Sequence, residues 1–450
     1  MTNFVDLALP GMLPVLNEEC LDLAIKASLA LKGKINHQIK FDRKHYFYSD
    51  LPQGYQITQK DHPIMERGKL YYFDRLNQQK SLTIQRIQIE QDSAKSFHDF
   101  DNYALIDYNR AGMPLLEIVT EPEIDHPEDG KLVVKEIQEL LKALELSEAN
   151  MEEGQMRCDV NISVRDNERG IQGNRVEVKN VLGAKFVEKA IEYELMRHVE
   201  MIEKGQNIVK ETRRYDSIND KTISMRSKEQ DPDYRFFQDP DLPCIIITPD
   251  RIRNVENKIK KTPFERKVEF QKQFNLDIIE VQNVFSSDKL IYIFEKLVDL
   301  NGANRLPKDI YNWIFVFVNG QVIKKDLNLF EIIQSNCKDG QYIADLIDLV
   351  KTEKLQILNA KDILYRIIDG DGRIPIAIAE SLNMIKSDEL NYNKIIDKVL
   401  EQNKITVDKI KQTGKDGQVM FLVGQTMKAI NKKGDPQKIQ QIIREKLGLK

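Results

Sequence analysis

Residues 156–165 alternate strictly. Met156, Cys158, Val160, Ile162 and Val164 share one parity, and Arg157, Asp159, Asn161, Ser163 and Arg165 share the other. Period two predicts a β-strand with one apolar and one polar face. The same signal, broken by Gly and Pro, predicts strands over residues 83–90, 104–108, 115–120 and 175–179. Two stretches, 127–144 and 185–203, repeat at a helical period and predict helices between them. This first part of the chain reads as an α+β domain around a mostly antiparallel sheet.

Past residue 255 the strand signal nearly vanishes. Helices are predicted over 257–274, 276–285, 288–301, 308–319, 327–335 and 341–358. A Gly- and Pro-containing break at 369–375 precedes a last group over 377–385, 391–402, 406–412, 418–431 and 435–447. Pro436 falls in the first turn of the final helix, with Asp435 as its expected N-cap. The expected division is an α+β domain over 1–255, an all-helical domain over 256–372 and a small helical tail domain over 373–450.

A chain of 450 residues is too long for one core, which fits such a division. Hydrophobic residues make up 41% and charged residues 31%, and no run approaches the roughly 18–20 apolar residues of a membrane span. The opening MTNFVDLALPGMLPVL has neither a secretory n-region nor the Arg- and Ser-rich character of a transit peptide. Cys20, Cys158, Cys244 and Cys337 are too scattered for a zinc ribbon and point to a reducing compartment. Cys158 shares the apolar parity and is expected in the core. The formal net charge of −4 means that a nucleic-acid partner needs a local basic patch. One candidate is the C-terminus, where residues 425–450 hold seven basic residues, among them Lys428, Lys432 and Lys433, against two acidic ones.

Four segments carry candidate chemistry. In the 156–165 strand, Arg157, Asp159 and Asn161 suit phosphate, ribose or hydrated metal better than mere solubility, and Glu152 and Glu153 precede them. Glu90 and Asp92 stand two apart, so an extended chain would place them on one side, suited to a hydrated Mg²⁺, with Lys95 and Ser96 available to phosphate. Glu117 sits inside the apolar run 115–119, where a charge is expected to be paired or metal-bound. Arg175, Glu177 and Lys179 form a charge ladder. Two aromatic–basic stretches, 41–50 with Lys44 and 233–241 with Tyr234 and Arg235, can stack on bases and hold phosphates. No Ser/His/Asp or Cys/His arrangement stands out.

Taken in order, FDRKHYFYSDLPQGYQIT, IEQDSAKS, DYNRAGMPLLEIVTEPEI, MEEGQMRCDVNISV, EVKN, ETRRYD, MRSKE, DYRFFQDPDLP and FLVGQTMK resemble the B subunit of the tRNA-dependent amidotransferases over nearly the whole chain. The resemblance implies a cradle domain, a helical domain and a mobile, tRNA-contacting tail that would include Lys428, Lys432 and Lys433. It implies ATP- and Mg²⁺-dependent phosphorylation of the side-chain carboxylate of a misacylated Glu-tRNA(Gln) or Asp-tRNA(Asn). Ammonia channelled from an amidase subunit then displaces phosphate. A small C-type subunit completes a heterotrimer without a membrane; the wording EQDS and SEANMEEGQMR looks organellar, so a mitochondrial matrix is expected, with a bacterial cytoplasm as the alternative. Carried over residue by residue, Glu90, Asp92 and Glu117 hold metal, Lys44 lies near the channel mouth and kinase site, and Arg157, Asp159, Asn161 and Lys95 line the nucleotide and acceptor pocket.

The sequence also departs from the family pattern. The opening segment with its GLE-x-H motif, whose His and Glu join the metal site, is lacking, so an incomplete form is expected. Gln88 and Gln91 replace the usual His and second Glu of the acidic motif, and Val181-Leu-Gly follows EVKN. A non-catalytic tRNA-binding scaffold and a ligase acting on a free amino acid are the rival expectations.

Overall fold

The structure is a computed structural model that describes residues 2–97, 102–168, 170–227, 233–300, 305–385, 392–413, 416–430 and 436–448. The chain divides into two compact units, Met1–Arg266 and Lys267–Lys450.

The first unit is built on the strand Gln79–Gln91, paired antiparallel with Met65–Phe73 on one side and Pro114–Thr120 on the other. Its apolar residues change parity along its length: Leu82 and Ile84, then Ile87 and Ile89, all buried. The register to Pro114–Thr120 shifts between Ile84 and Arg86, so a bulge absorbs the extra residue and both apolar pairs reach the same core. Beyond the bulge, Gln88 and Glu90 are turned to the other face. The core is closed by helix Glu18–Ala30, which buries Leu21, Ala24 and Ile25, and by helix Pro127–Ala143, which buries Val133, Ile137 and Leu140. Asn17 caps the first of these by accepting from the Glu19 amide.

A second sheet runs in the order Cys158–Ile162, Val176–Val181, Glu211–Asp216, Lys221–Ser227. Its middle pair is parallel, which requires a crossover, and helix Ala184–Glu203 supplies it. The expected alternation holds: Val160 and Ile162 pack on the core with Met156 and Cys158, while Asp159 and Asn161 are exposed. Burial pushes the Cys158 thiol up to about 12, as fits a core residue. A smaller sheet joins Asp42–His45 to Tyr55–Thr58 and Phe237–Gln238.

The second unit contains only helices among its described residues. From Ile278–Val284 to Pro375–Ser381 these bury Phe294, Leu297, Ile310, Ile314, Ile343, Leu346, Ile363 and Leu364. The stretch expected as one helix over 308–319 is interrupted: Pro307–Tyr311 is α-helical, and Asn312–Val318 widens into π-turns. The last helices, Tyr392–Gln402, Lys404–Thr413, Asp416–Ala429 and Pro436–Leu447, share a separate apolar cluster of Ile396, Ile410, Val419, Leu422, Ile439 and Ile443. The architecture is α+β, with the sheets in the N-terminal part and helices after it.

Candidate active site

On the open face of the first sheet, Gln88 lies directly across from Glu117 in the strand register. The Gln88 side chain is buried, and its Nε2 donates to Glu90 Oε1 at 2.8 Å, to Glu117 Oε2 at 2.7 Å and to Thr58 Oγ1 at 3.3 Å. The Thr58 hydroxyl donates to the same Glu90 oxygen at 2.6 Å. Two strands of the sheet and the neighbouring Tyr55–Thr58 strand thus bring two carboxylates together around one amide. The Gln88 Oε1 atom, also buried, has no hydrogen-bond partner among the described residues.

Glu117 is not enclosed by its apolar run. Leu116 and Ile118 pack toward the core, so the alternation turns Glu117 to the open face, where it is exposed. Its carboxyl is nevertheless pushed up to about 7. Desolvation within the cleft contributes most, followed by the charge of Glu90 and a hydrogen bond with it, and Lys44 and Arg86 offset only part of this. Among the described residues neither Glu90 nor Glu117 has an ion-pair partner within 4.0 Å. Lys44 is held by aromatic rings, with Nζ 4.9 Å from the centre of Tyr234 and 5.9 Å from that of Tyr46. Burial pushes the Tyr46 hydroxyl up to about 12, with the nearby charges of Asp50, Glu90 and Asp92 adding to it.

Asp92 does not continue the strand as the two-residue spacing suggested. Pairing ends at Gln91; the Asp92 amide then donates to Met113 O, and Gly112 N donates to Asp92 O. Its buried carboxylate accepts from Arg157 Nη2 at 3.3 Å and is ion-paired with Arg110, whose Nε lies 3.2 Å away and donates to Ser93 O. The expected trio of Glu90, Asp92 and Glu117 therefore separates into a carboxylate pair and a carboxylate bound to two arginines. Among the described residues no three His, Cys, Asp or Glu side chains converge in a metal-binding arrangement.

The other expected residues, the tail lysines apart, lie in the same unit. Arg157 reaches Asp92 across from the second sheet. Asp159 accepts from Lys179 Nζ at 3.1 Å, and Asn161 pairs in register with Glu177, so the two ladders form one polar face. Lys95 is exposed, stands opposite Asp107 in a short hairpin and covers the Phe97 ring at 4.6 Å. Gln91 accepts from Gln53 Nε2 at 2.6 Å. Glu152 and Glu153 are exposed on a turn. In the tail, Lys428 is exposed on the last turn of its helix; Lys432, Lys433 and Asp435 lie outside the described residues. Sequence reasoning missed Thr58 and the bridging role of Gln88. The apolar spacing Leu82, Ile84, Ile87, Ile89, with its one three-residue step, was the available signal for the bulge that turns Gln88 outward.

Residues 1–253 match the family model described as the GatB/GatE catalytic domain, and residues 292–447 match the GatB domain. The B subunit of the aspartyl/glutamyl-tRNA(Asn/Gln) amidotransferase of Thermotoga petrophila is 38% identical over 444 residues, 97% of this chain and 90% of that protein. The protein of the same name from Rickettsia rickettsii strain Iowa is 38% identical over 449 residues, 99% of this chain and 90% of its own length.

Proposed function

The chain belongs to the GatB family, and from that premise we propose that it is the kinase and transamidase subunit of a tRNA-dependent amidotransferase. Its substrate is the misacylated amino acid on Glu-tRNA(Gln) or Asp-tRNA(Asn). The side-chain carboxylate is phosphorylated by ATP, and ammonia then displaces phosphate to give the amide. The class is carbon–nitrogen ligation with glutamine as amide donor. An amidase subunit and a small C-type subunit complete the complex. The bacterial origin of the relatives supports a bacterial cytoplasm over a mitochondrial matrix.

The observation that carries this reading is the Glu90–Gln88–Glu117 cluster, with Lys44 beside it. Two carboxylates without ion-pair partners among the described residues, next to an amide oxygen equally unpaired among them, form an all-oxygen donor set, which suits Mg²⁺. Glu90 and Glu117 would hold that ion, which when bound offsets charge on the transferring phosphoryl group. Lys44, half-buried against Tyr234, adds a basic group to the same face. Arg110 and Arg157 hold the Asp92 corner in place, and Asp159, Asn161 and Lys179 offer hydrogen bonds to ribose and the acceptor end.

A second reading, a tRNA-binding scaffold, is favoured by the lack of a three-ligand cluster among the described residues. Reconstitution with an amidase partner separates the two. With labelled ATP and, in parallel, Glu-tRNA(Gln) and Asp-tRNA(Asn), the expected result is tRNA-stimulated ATP cleavage and an amidated product. Binding of tRNA without stimulated cleavage would establish the scaffold, and amidation of free glutamate would overturn both. Removing the tail helices together, before Tyr392, is expected to weaken tRNA binding, flatten its salt dependence and spare ATP cleavage. A cut after Lys415 would divide the tail's apolar cluster and leave Ile396 and Ile410 uncovered.

A further inference from the structure

Gln88 has a feature that the carboxylate pair does not explain. Its amide nitrogen has two hydrogens and faces three acceptors, Glu90, Glu117 and Thr58. Its amide oxygen has two lone pairs, is buried and meets no donor among the described residues. A buried amide with one end oversubscribed and the other empty is costly to leave so. Turning the amide over exchanges two ends of nearly the same size. The place now held by Oε1 has no partner, so it would leave either end unsatisfied and does not choose between the orientations. The choice is made on the other side, by the charge between Glu90 and Glu117. With only carboxylates there, a donor must face them. With a divalent cation there, the NH₂ end would point at like charge, and the oxygen end would be a further hard ligand.

We propose that Gln88 is a turning amide: its NH₂ bridges Glu90 and Glu117 when no cation is bound, and its Oε1 becomes a ligand when a divalent cation occupies the pair. The proposal rests on the reading that Glu90 and Glu117 hold the cation. It makes Gln88 a working part of the site, a residue that stands in for the cation and then helps to bind it. The pair is thereby kept from repelling itself apart between turnovers.

Affinity for one metal alone is a poor test, because removing the amide weakens both states. A ratio of two metals cancels the cation-free state. Competition titrations of the full chain with Mg²⁺ and Co²⁺, followed by Mn²⁺ displacement in electron paramagnetic resonance, give that ratio without any turnover. An imidazole ligand favours Co²⁺ over Mg²⁺ relative to an oxygen ligand. Gln88→His is therefore expected to raise the Co²⁺/Mg²⁺ affinity ratio by about tenfold, the scale on which changes around a metal act. An unchanged ratio in folded Gln88→His overturns the proposal. The companion variant Glu117→Gln tests the underlying reading: if it leaves Mn²⁺ affinity unchanged, the cation is not held there at all. Wild-type crystals soaked in Mn²⁺ give an answer that needs no variant. The anomalous peak is expected between Glu90 and Glu117 with the Gln88 amide in its coordination shell; a metal there with Gln88 still hydrogen-bonded to both carboxylates overturns the turning amide alone.

Discussion

Two glutamate clusters of the first unit use similar parts to opposite ends. Around Glu194 the network is closed. This carboxylate is fully buried, accepts from Arg197 Nη2 at 2.7 Å and is ion-paired with Arg213, whose Nε lies 3.0 Å away; the Thr222 hydroxyl donates to it, and His198 Nε2 lies at 3.1 Å. Glu211 ties the same two arginines from the other side. Around Glu117 the network is open, with a second carboxylate where the first cluster has guanidinium groups, and an amide oxygen left unpaired. Burial would raise the Glu194 carboxyl, but hydrogen bonds from His198, Arg197 and Thr222 outweigh it and bring it down to about 2. Glu117 goes the other way, to about 7. A cluster whose charges are balanced from within locks a helix onto a sheet. One whose charges are left unbalanced is built to receive something.

The largest effect that would test this contrast is Glu194→Ala. It leaves Arg197 and Arg213 at the helix–sheet junction with Glu211 as their one remaining carboxylate among the described residues and is expected to cost roughly 3 kcal/mol, the lower end of the range for removing one partner from a buried ion pair. Urea unfolding of the full chain measures it. Glu117→Gln should do the reverse, leaving the urea midpoint unchanged or slightly higher. Amidation in the reconstituted complex is expected to fall by about a hundredfold or more, the scale of losing one preorganised electrostatic group, with tRNA binding nearly intact. Equal loss of stability in both variants would erase the distinction between the clusters.

The two clusters also predict opposite slopes of stability against pH in the cation-free chain. The folded-state pKa of Glu194 is depressed, so its contribution is present above the ordinary glutamate range near 4.5 and is lost as pH falls toward about 2. That of Glu117 is raised, so its contribution is complete below about 4.5 and is lost as pH rises through about 7. Thermal melts from pH 3 to pH 8 read both. Glu117→Gln should remove the slope near neutrality and leave the acid limb as it is.

Much of the open cluster was legible in the sequence, because it lies on strands and strands announce their faces. Period two placed Asp159 and Asn161 outward, the two-residue spacing to Asp92 singled out Glu90, and a charge inside the apolar run 115–119 singled out Glu117. What it could not give was register. That Gln88 faces Glu117 is set by pairing across some thirty residues and by a bulge, neither of which is local. The Glu90–Asp92 spacing misled because the chain leaves the strand at Gln91, where Met113 and Gly112 capture the Asp92 backbone. The closed cluster was nearly invisible. Glu194, Arg197 and His198 are ordinary charges at helical spacing until the strands Glu211–Asp216 and Lys221–Ser227 cover them, and those strands were not predicted. Helix Glu18–Ala30 and strand Met65–Phe73 were missed as well, although Asn17 before two glutamates is a cap signal.

The smallest effect comes from a matched pair of threonines and sharpens the contrast most. Thr58 and Thr222 are both buried, and each donates its hydroxyl to a glutamate. Thr222 also accepts from Arg213 Nε at 2.8 Å, so Thr222→Val leaves a guanidinium donor short of a partner inside a sealed network. A loss of about 1 kcal/mol in unfolding free energy is expected, the usual net worth of such a bond. Thr58→Val removes a donor from Glu90, which is only half-buried and can take water in exchange. Its unfolding free energy should change by less than about 0.5 kcal/mol, the range of substitutions that strand no buried partner. Divalent-cation affinity should shift instead, because Glu90 is left with Gln88 as its remaining side-chain donor among the described residues. Equal destabilisation by the two valines would mean that the open cluster, too, is there to hold the fold.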